Sequence, residues 1–283
     1  MTGVAESISG QAAGVPFVAL PPAGGPRASA PVVIAWHLLD PPRTEAAFAA
    51  QVPLRGLDAW RIYLGLPLSG SRLPAGGWDE LMRLAHEDAV LNLHRPIVYG
   101  AAEELGPALV DLRRRLGIDS GPMGVMGGSA GAAVAQLVLA EAGLEIAAAV
   151  LINPLVRLRQ VVDVISRRFG VSYPWSDESS AVADRLDFVA RAGESGDDDR
   201  RAAVLVVVGE EDDACFREPA ADLVAALRRS EAASPAGLVT VPGMAHPLTD
   251  EPGIEPAPQS PQAAVVDGLA VRWFQRYLSL PAS

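Results

Sequence analysis

The sequence contains no lysine, so all 23 basic residues among its 283 are arginine. An ammonium side chain is therefore missing for a Schiff base with a carbonyl or with pyridoxal phosphate, for a serine–lysine dyad, and for the lysine of a P-loop. A single cysteine, Cys215, excludes an intrachain disulfide and a structural thiolate zinc site, and it fits a reducing, cytoplasmic setting. Aromatic residues make up only 5%, which argues against an aromatic-rich carbohydrate platform. Positive charge is in deficit: the formal net charge of -11 disfavours nucleic acid and anionic membranes as partners, because both need a basic surface. Long apolar runs are lacking as well. The most apolar stretch, from Ala130 to Val156, is interrupted by Glu141, Glu145 and Asn153, short of the roughly 18 uninterrupted residues of a membrane span. Residues 1–10 have neither the basic start nor the apolar run of a secretory signal. A soluble, cytoplasmic protein is expected.

What remains is 49% hydrophobic and 20% charged, enough for one large core or two small ones, with one mid-sized globular enzyme the plain expectation. Short β-branched runs recur at Val32 to Trp36, Trp60 to Leu64, Met123 to Met126, Ala147 to Ile152, Ala203 to Val208 and Gly237 to Val241. Continuous apolar runs of this kind mark strands buried on both faces. Between them, apolar residues return at three and four positions in Thr44 to Ala50, Ala108 to Leu116, Ala130 to Ala142, Pro219 to Arg229 and Gln262 to Leu278. The pattern predicts one doubly wound α/β domain over residues 1–283 with a mostly parallel sheet. Ahead of it, Gly14 to Leu20 and the turn Pro21 to Pro26 predict one arm of an antiparallel edge. Residues 155–196 break the rhythm. Amphipathic stretches at Leu158 to Phe169 and Ala181 to Ala192, joined through Tyr173, Pro174 and Trp175, predict a small helical cap. The charge cluster Gly196 to Arg200 reads as a solvated loop.

The strongest chemical signal is Gly127-Gly128-Ser129-Ala130-Gly131, directly after a strand and opening an alanine-rich helix. A strand that turns sharply into a helix strains the residue at the bend, and small residues two positions either side leave room for the crossing chain. Ser129 would then stand out at the sheet edge, with the helix N-terminus aimed at any developing oxyanion. A plain glycine-rich connection and a dinucleotide-binding loop are the alternatives. The second wants its glycines near the first strand and an acid at the end of the next, whereas this loop lies mid-chain and the following strand ends in Ile152-Asn153. A serine nucleophile needs an imidazole base and a carboxylate to orient it. Of the four histidines, His37, His86 and His94 precede the serine, and His246 alone follows it, in a loop after the last predicted strand. After Ala203 to Val208, the turn Gly209 to Asp213 offers four competing carboxylates.

With these elements in this order, the chain from about Gly14 to Leu278 resembles the α/β-hydrolase superfamily. The resemblance implies an acid in a Gly-x-x-Asp turn, which falls on Asp212, with Asp213 as fallback. It also implies a second oxyanion donor after the first parallel strand. Members commonly carry His-Gly there, whereas this chain has Trp36-His37-Leu38-Leu39-Asp40, so the expected donors are the backbone N–H of Ala130 and that of Leu38 or Leu39. His37 reads as structural and Cys215 as a packing residue. Tyr173, Trp175 and the stretch Leu66 to Gly70 are equally candidates for an acyl pocket or for core. The implied activity is hydrolysis of a small carboxylic ester through an acyl-enzyme, with Ser129 as nucleophile, His246 as base and Asp212 as orienting acid, and with no metal or cofactor. A lactonase, thioesterase or amidase could run on the same groups. A hydrolase-like binding protein without turnover and a nucleotide-binding oxidoreductase are the readings from other classes.

Overall fold

The computed structural model describes residues 7–192, 202–229 and 235–278. The first elements among the described residues are a hairpin of Ile8–Ala12 (β1) and Val15–Leu20 (β2). Ala12 pairs with Val15, and the two residues between them, Ala13 and Gly14, both hold positive φ, as the tight two-residue turn requires. The antiparallel edge was expected, but β1 was not: four of its five residues are exposed, so no apolar pattern announces it.

The remaining strands are Val32–Trp36 (β3), Trp60–Leu64 (β4), Met123–Gly128 (β5), Ile146–Ile152 (β6), Ala203–Gly209 (β7) and Ala236–Val241 (β8). Among the described residues they form one sheet in the order β1-β2-β4-β3-β5-β6-β7-β8. The pairings β1–β2 and β2–β4 are antiparallel and all others parallel. This is the doubly wound α/β arrangement that the recurring apolar runs predict.

Successive side chains on a strand point to opposite faces, which divides the apolar residues into two layers. Val32, Ile34, Trp36, Val125, Leu151 and Val206 face one layer. Val33, Ala35, Met126, Val150, Ile152 and Val207 face the other. The first is covered by Arg95–Leu116, Ala130–Glu141, Leu158–Arg168 and Ala214–Arg229; the second by Glu45–Gln51 and Pro261–Tyr277. In chain order, and with Gly77–Glu87 and Asp177–Arg185 included, these helices are α1 (45–51), α2 (77–87), α3 (95–116), α4 (130–141), α5 (158–168), α6 (177–185), α7 (214–229) and α8 (261–277).

Three regions differ from expectation, the first being α7, which begins at Ala214 and runs through Pro219 instead of starting there. The helix predicted from Ala108 begins at Arg95 and runs through Pro107, preceded by a π-helical turn at Ala89–His94. Gly106-Pro107 reads locally as a break, since proline lacks an N–H and crowds the preceding turn. Burial of Ile97, Val98, Ala101 and Leu105 on one face carries the helix across it. In the expected cap, α5 matches Leu158 to Phe169 closely, but its partner is α6, starting at Asp177 rather than Ala181 and ending at Arg185. Ser176 and Ser179 form a reciprocal capping box that sets this earlier start. Residues 193–196 of the expected cap and the charge cluster Gly196 to Arg200 lie outside the described residues.

Candidate active site

In the parallel part of the sheet, the loops after β3, β5, β6, β7 and β8 leave from the same edge. Ser129 sits in the turn from β5 into α4, at φ 49° and ψ −115°. Such a conformation costs a non-glycine residue roughly 1–3 kcal/mol, and its surroundings hold it. The Ser129 N–H donates to the Ile152 carbonyl at 2.9 Å, and the Ser129 carbonyl accepts from Leu155 N–H at 3.2 Å.

The flanking glycines are required by close approach. A Cβ on Gly131 would lie 2.3 Å from the His37 carbonyl oxygen and 2.4 Å from that of Trp36, and one on Gly127 would lie 2.1 Å from the Gly131 carbonyl oxygen. The glycines therefore let α4 start against the end of β3, bringing Ala130 beside the loop that follows that strand.

Ser129 Oγ lies 2.9 Å from His246 Nε2, and His246 Nδ1 lies 3.0 Å from both carboxylate oxygens of Asp212. A carboxylate can only accept here, so Nδ1 carries the proton and Nε2 is free to accept from the serine hydroxyl. The Asp212 side chain is fully buried, while the imidazole is 15% exposed. Asp212 Oδ1 also accepts from the Asp213 N–H at 2.6 Å. Phe216 packs on the imidazole with ring centroids 4.1 Å apart, fixing the plane of the ring. Asp213, the fallback acid, is engaged elsewhere: it accepts from the Cys215 N–H at the start of α7 and pairs with Arg168.

The other sequence candidates are also placed. His37 is fully buried; its Nε2 accepts from the Leu66 N–H at 3.0 Å, which leaves Nδ1–H to donate to the Leu38 carbonyl at 2.7 Å. Burial pushes its pKa down to about 4, so it is a neutral structural group bracing the loop after β3. Among the described residues, no carbonyl outside the strand ladders and helices takes a hydrogen bond from the N–H of Leu38, Leu39 or Ala130. Cys215 is buried, which pushes its thiol pKa up and makes it an inert packing residue. Tyr173 and Trp175 tie the α5–α6 segment down: Tyr173 donates to Asp88 and Trp175 to Asp163, while Leu66 is core. A groove of about 780 Å³ runs along the segment after β8, beside Met244, Leu248 and Ile254, and Ser129 does not line it.

Two residues near the site had no role in the sequence reading. Asn153, fully buried at the end of β6 with φ 41°, receives the Gly209 N–H on Oδ1 at 2.7 Å and donates through Nδ2 to the carbonyls of Ala245 and His246, both at 2.9 Å. It thereby joins the loops that carry the acid and the imidazole. Asp40, in the loop after β3, brings a carboxylate oxygen to 3.7 Å from His246 Nε2. The described residues contain no group of three or more His, Cys, Asp or Glu placed to hold a metal ion, and no helix long and apolar enough to cross a membrane.

The strand order, the strained serine turn and the three loops meeting at one edge define an α/β-hydrolase. Residues 108–278 match the model of the prolyl oligopeptidase family of serine hydrolases, and the chain belongs to that family. No curated protein matches it in sequence. Solved structures extend the likeness of fold to nearly the whole chain. TT1662 from Thermus thermophilus superposes with a TM-score of 0.65 at 17% identity, covering 98% of this chain and 99% of that one. The acylaminoacyl peptidase of Pyrococcus horikoshii gives 0.62 at 13%, covering 98% of this chain but only 42% of its own. Carboxyl esterase 2 of the fungus Tuber melanosporum gives 0.56 at 18%, covering 97% and 87%.

Proposed function

We propose that this serine hydrolase cleaves small carboxylic esters through an acyl-enzyme on Ser129. The observation that carries the proposal is the unbroken line of contacts from Asp212 through His246 to the strained Ser129. In this mechanism Nε2 takes the Oγ proton as Oγ attacks the ester carbon, then passes it to the departing alcohol. Water deprotonated by the same nitrogen releases the acid in a second step. Asp212 holds the imidazole in the required tautomer and stabilises its cation.

The oxyanion would lie between the N–H of Ala130, at the N-terminus of α4, and that of Leu39. Of the two leucines, Leu39 has the better-fixed donor: the carbonyl of the same peptide plane, on Leu38, is held by His37 Nδ1–H, and the planar trans peptide aims the Leu39 N–H the opposite way.

The likeness to a carboxyl esterase over 87% of its length supports the ester as substrate. Family membership and the likeness to an acylaminoacyl peptidase favour a second reading, cleavage of an amide by the same groups. Parallel assays with a p-nitrophenyl short-chain ester and an aminoacyl p-nitroanilide decide between them. Ester turnover should be readily measured and anilide turnover absent, and Ser129→Ala should lower the ester rate on the order of 10⁶-fold. Measurable Ser129-dependent anilide turnover would move the assignment to peptide chemistry, and an unimpaired Ser129→Ala would remove the mechanism.

A further inference from the structure

The carboxylate of Asp40 stands 3.7 Å from His246 Nε2, the same nitrogen that meets Ser129 Oγ. Its side chain is 49% exposed, far more open than the imidazole. Among the described residues it has no other ion-pair or hydrogen-bond partner. The basic residue nearest along the chain, Arg43, is already committed: it donates to the Leu39 and Pro252 carbonyls and pairs with Glu251. Asp40 is therefore an uncompensated, accessible negative charge beside the reacting atoms.

Acyl transfer places the leaving group on this side. Nε2 must deliver the proton it took from Oγ to the leaving oxygen, which has to come within about 3 Å of that nitrogen. The leaving oxygen then lies within about 7 Å of the Asp40 carboxylate, whatever the rest of the substrate does. A charge two carbons beyond that oxygen can come within roughly 5–10 Å of the carboxylate, where on a half-exposed surface it changes the rate for a singly charged group by about three- to tenfold.

We propose that Asp40 selects the leaving group by charge, favouring esters of alcohols that carry a quaternary or protonated amine and disfavouring those that carry a carboxylate. The proposal rests on the serine-hydrolase mechanism above. In the selected step the Oγ–carbonyl carbon bond forms, the bond from that carbon to the alkoxy oxygen breaks, and the proton from Oγ leaves on the alcohol by way of Nε2. The cation stays on the alcohol and interacts with Asp40 without being transformed.

Turnover of two acetate esters tests this, one releasing the quaternary alcohol 2-(trimethylammonio)ethanol and the other its neutral isostere 3,3-dimethylbutanol. The kcat/KM of each is followed by release of acetic acid. The ratio of cationic to neutral rates should fall about three- to tenfold in Asp40→Asn and stay near the wild-type value in Asp40→Glu. An equal ratio in wild type and Asp40→Asn overturns the role of Asp40. An uncharged fluorophosphonate run alongside separates the two levels: Ser129 labelled with an unchanged ratio sinks only this inference, whereas no labelling of Ser129 in wild type sinks the mechanism beneath it.

Discussion

Asn153 spends all of its side-chain hydrogen bonds on backbone groups of two other loops. Oδ1 holds Gly209, three residues before Asp212, and Nδ2 holds the carbonyls of Ala245 and His246. Asn153→Ala should lose these contacts and place alanine at a positive φ, lowering stability by about 3 kcal/mol. Asn153→Gly separates the two effects, because glycine accepts the backbone without strain. In both variants kcat should drop by up to about 10²-fold with KM within about twofold, since a misplaced imidazole impairs chemistry more than binding. Steady-state kinetics check this, and a glycine variant with wild-type kcat would show that Asn153 does not position the site. The meeting of Ser129 with His246 was legible because the strand-to-helix serine turn is written into a short local pattern and one histidine alone follows it in sequence. Asn153 and Asp40 were not. What marks them out is contact with a loop 93 and 206 residues away respectively, and no local periodicity records such contacts.

The turn from β5 into α4 works as one element because its glycines let two segments of backbone touch. Gly131→Ala would drive a Cβ into the carbonyls of Trp36 and His37, which belong to a buried strand end and cannot yield as a flexible side chain can. The expected result is a loss of several kcal/mol, seen as a lowered urea midpoint, together with lost activity. A variant of wild-type stability would mean that α4 does not start against β3. The same pentapeptide made this element readable from sequence, along with the buried strands that flank it. Elements away from the sheet core were less readable. The exposed strand β1 has no pattern to detect, and α3 runs through a Gly-Pro pair that local propensity marks as an end. In both cases tertiary contacts, which a single sequence does not display, outweigh the local preference.

Across the whole molecule, burial keeps two histidines neutral. Both His37 and His94 have pKa values lowered to about 4 from 6.5, desolvation being the main cause, and the Nδ1 of His94 has no partner among the described residues. Between pH 6.5 and 4 the unfolded chain takes up protons on both while the native protein does not. Their contribution is therefore complete above pH 6.5 and drains away as pH falls towards 4, by up to about 3 kcal/mol each. Urea midpoints should fall from pH 7 to pH 5, and His94→Leu should flatten the decline by removing one titrating group and its unpartnered nitrogen. A midpoint that does not move between these pH values would contradict the buried, neutral state.

The parallel sheet gathers segments that are more than 80 residues apart in sequence, bringing Asp212 and His246 to the serine turn at one edge. The most direct test of their joint action is peptide-mapped labelling with an uncharged fluorophosphonate, in wild type and in His246→Gln. The adduct should sit on Ser129 alone and form at least about 10³-fold more slowly once the imidazole is removed. Labelling at another residue, or labelling of Ser129 at an undiminished rate in His246→Gln, would show that the serine is not activated by this histidine.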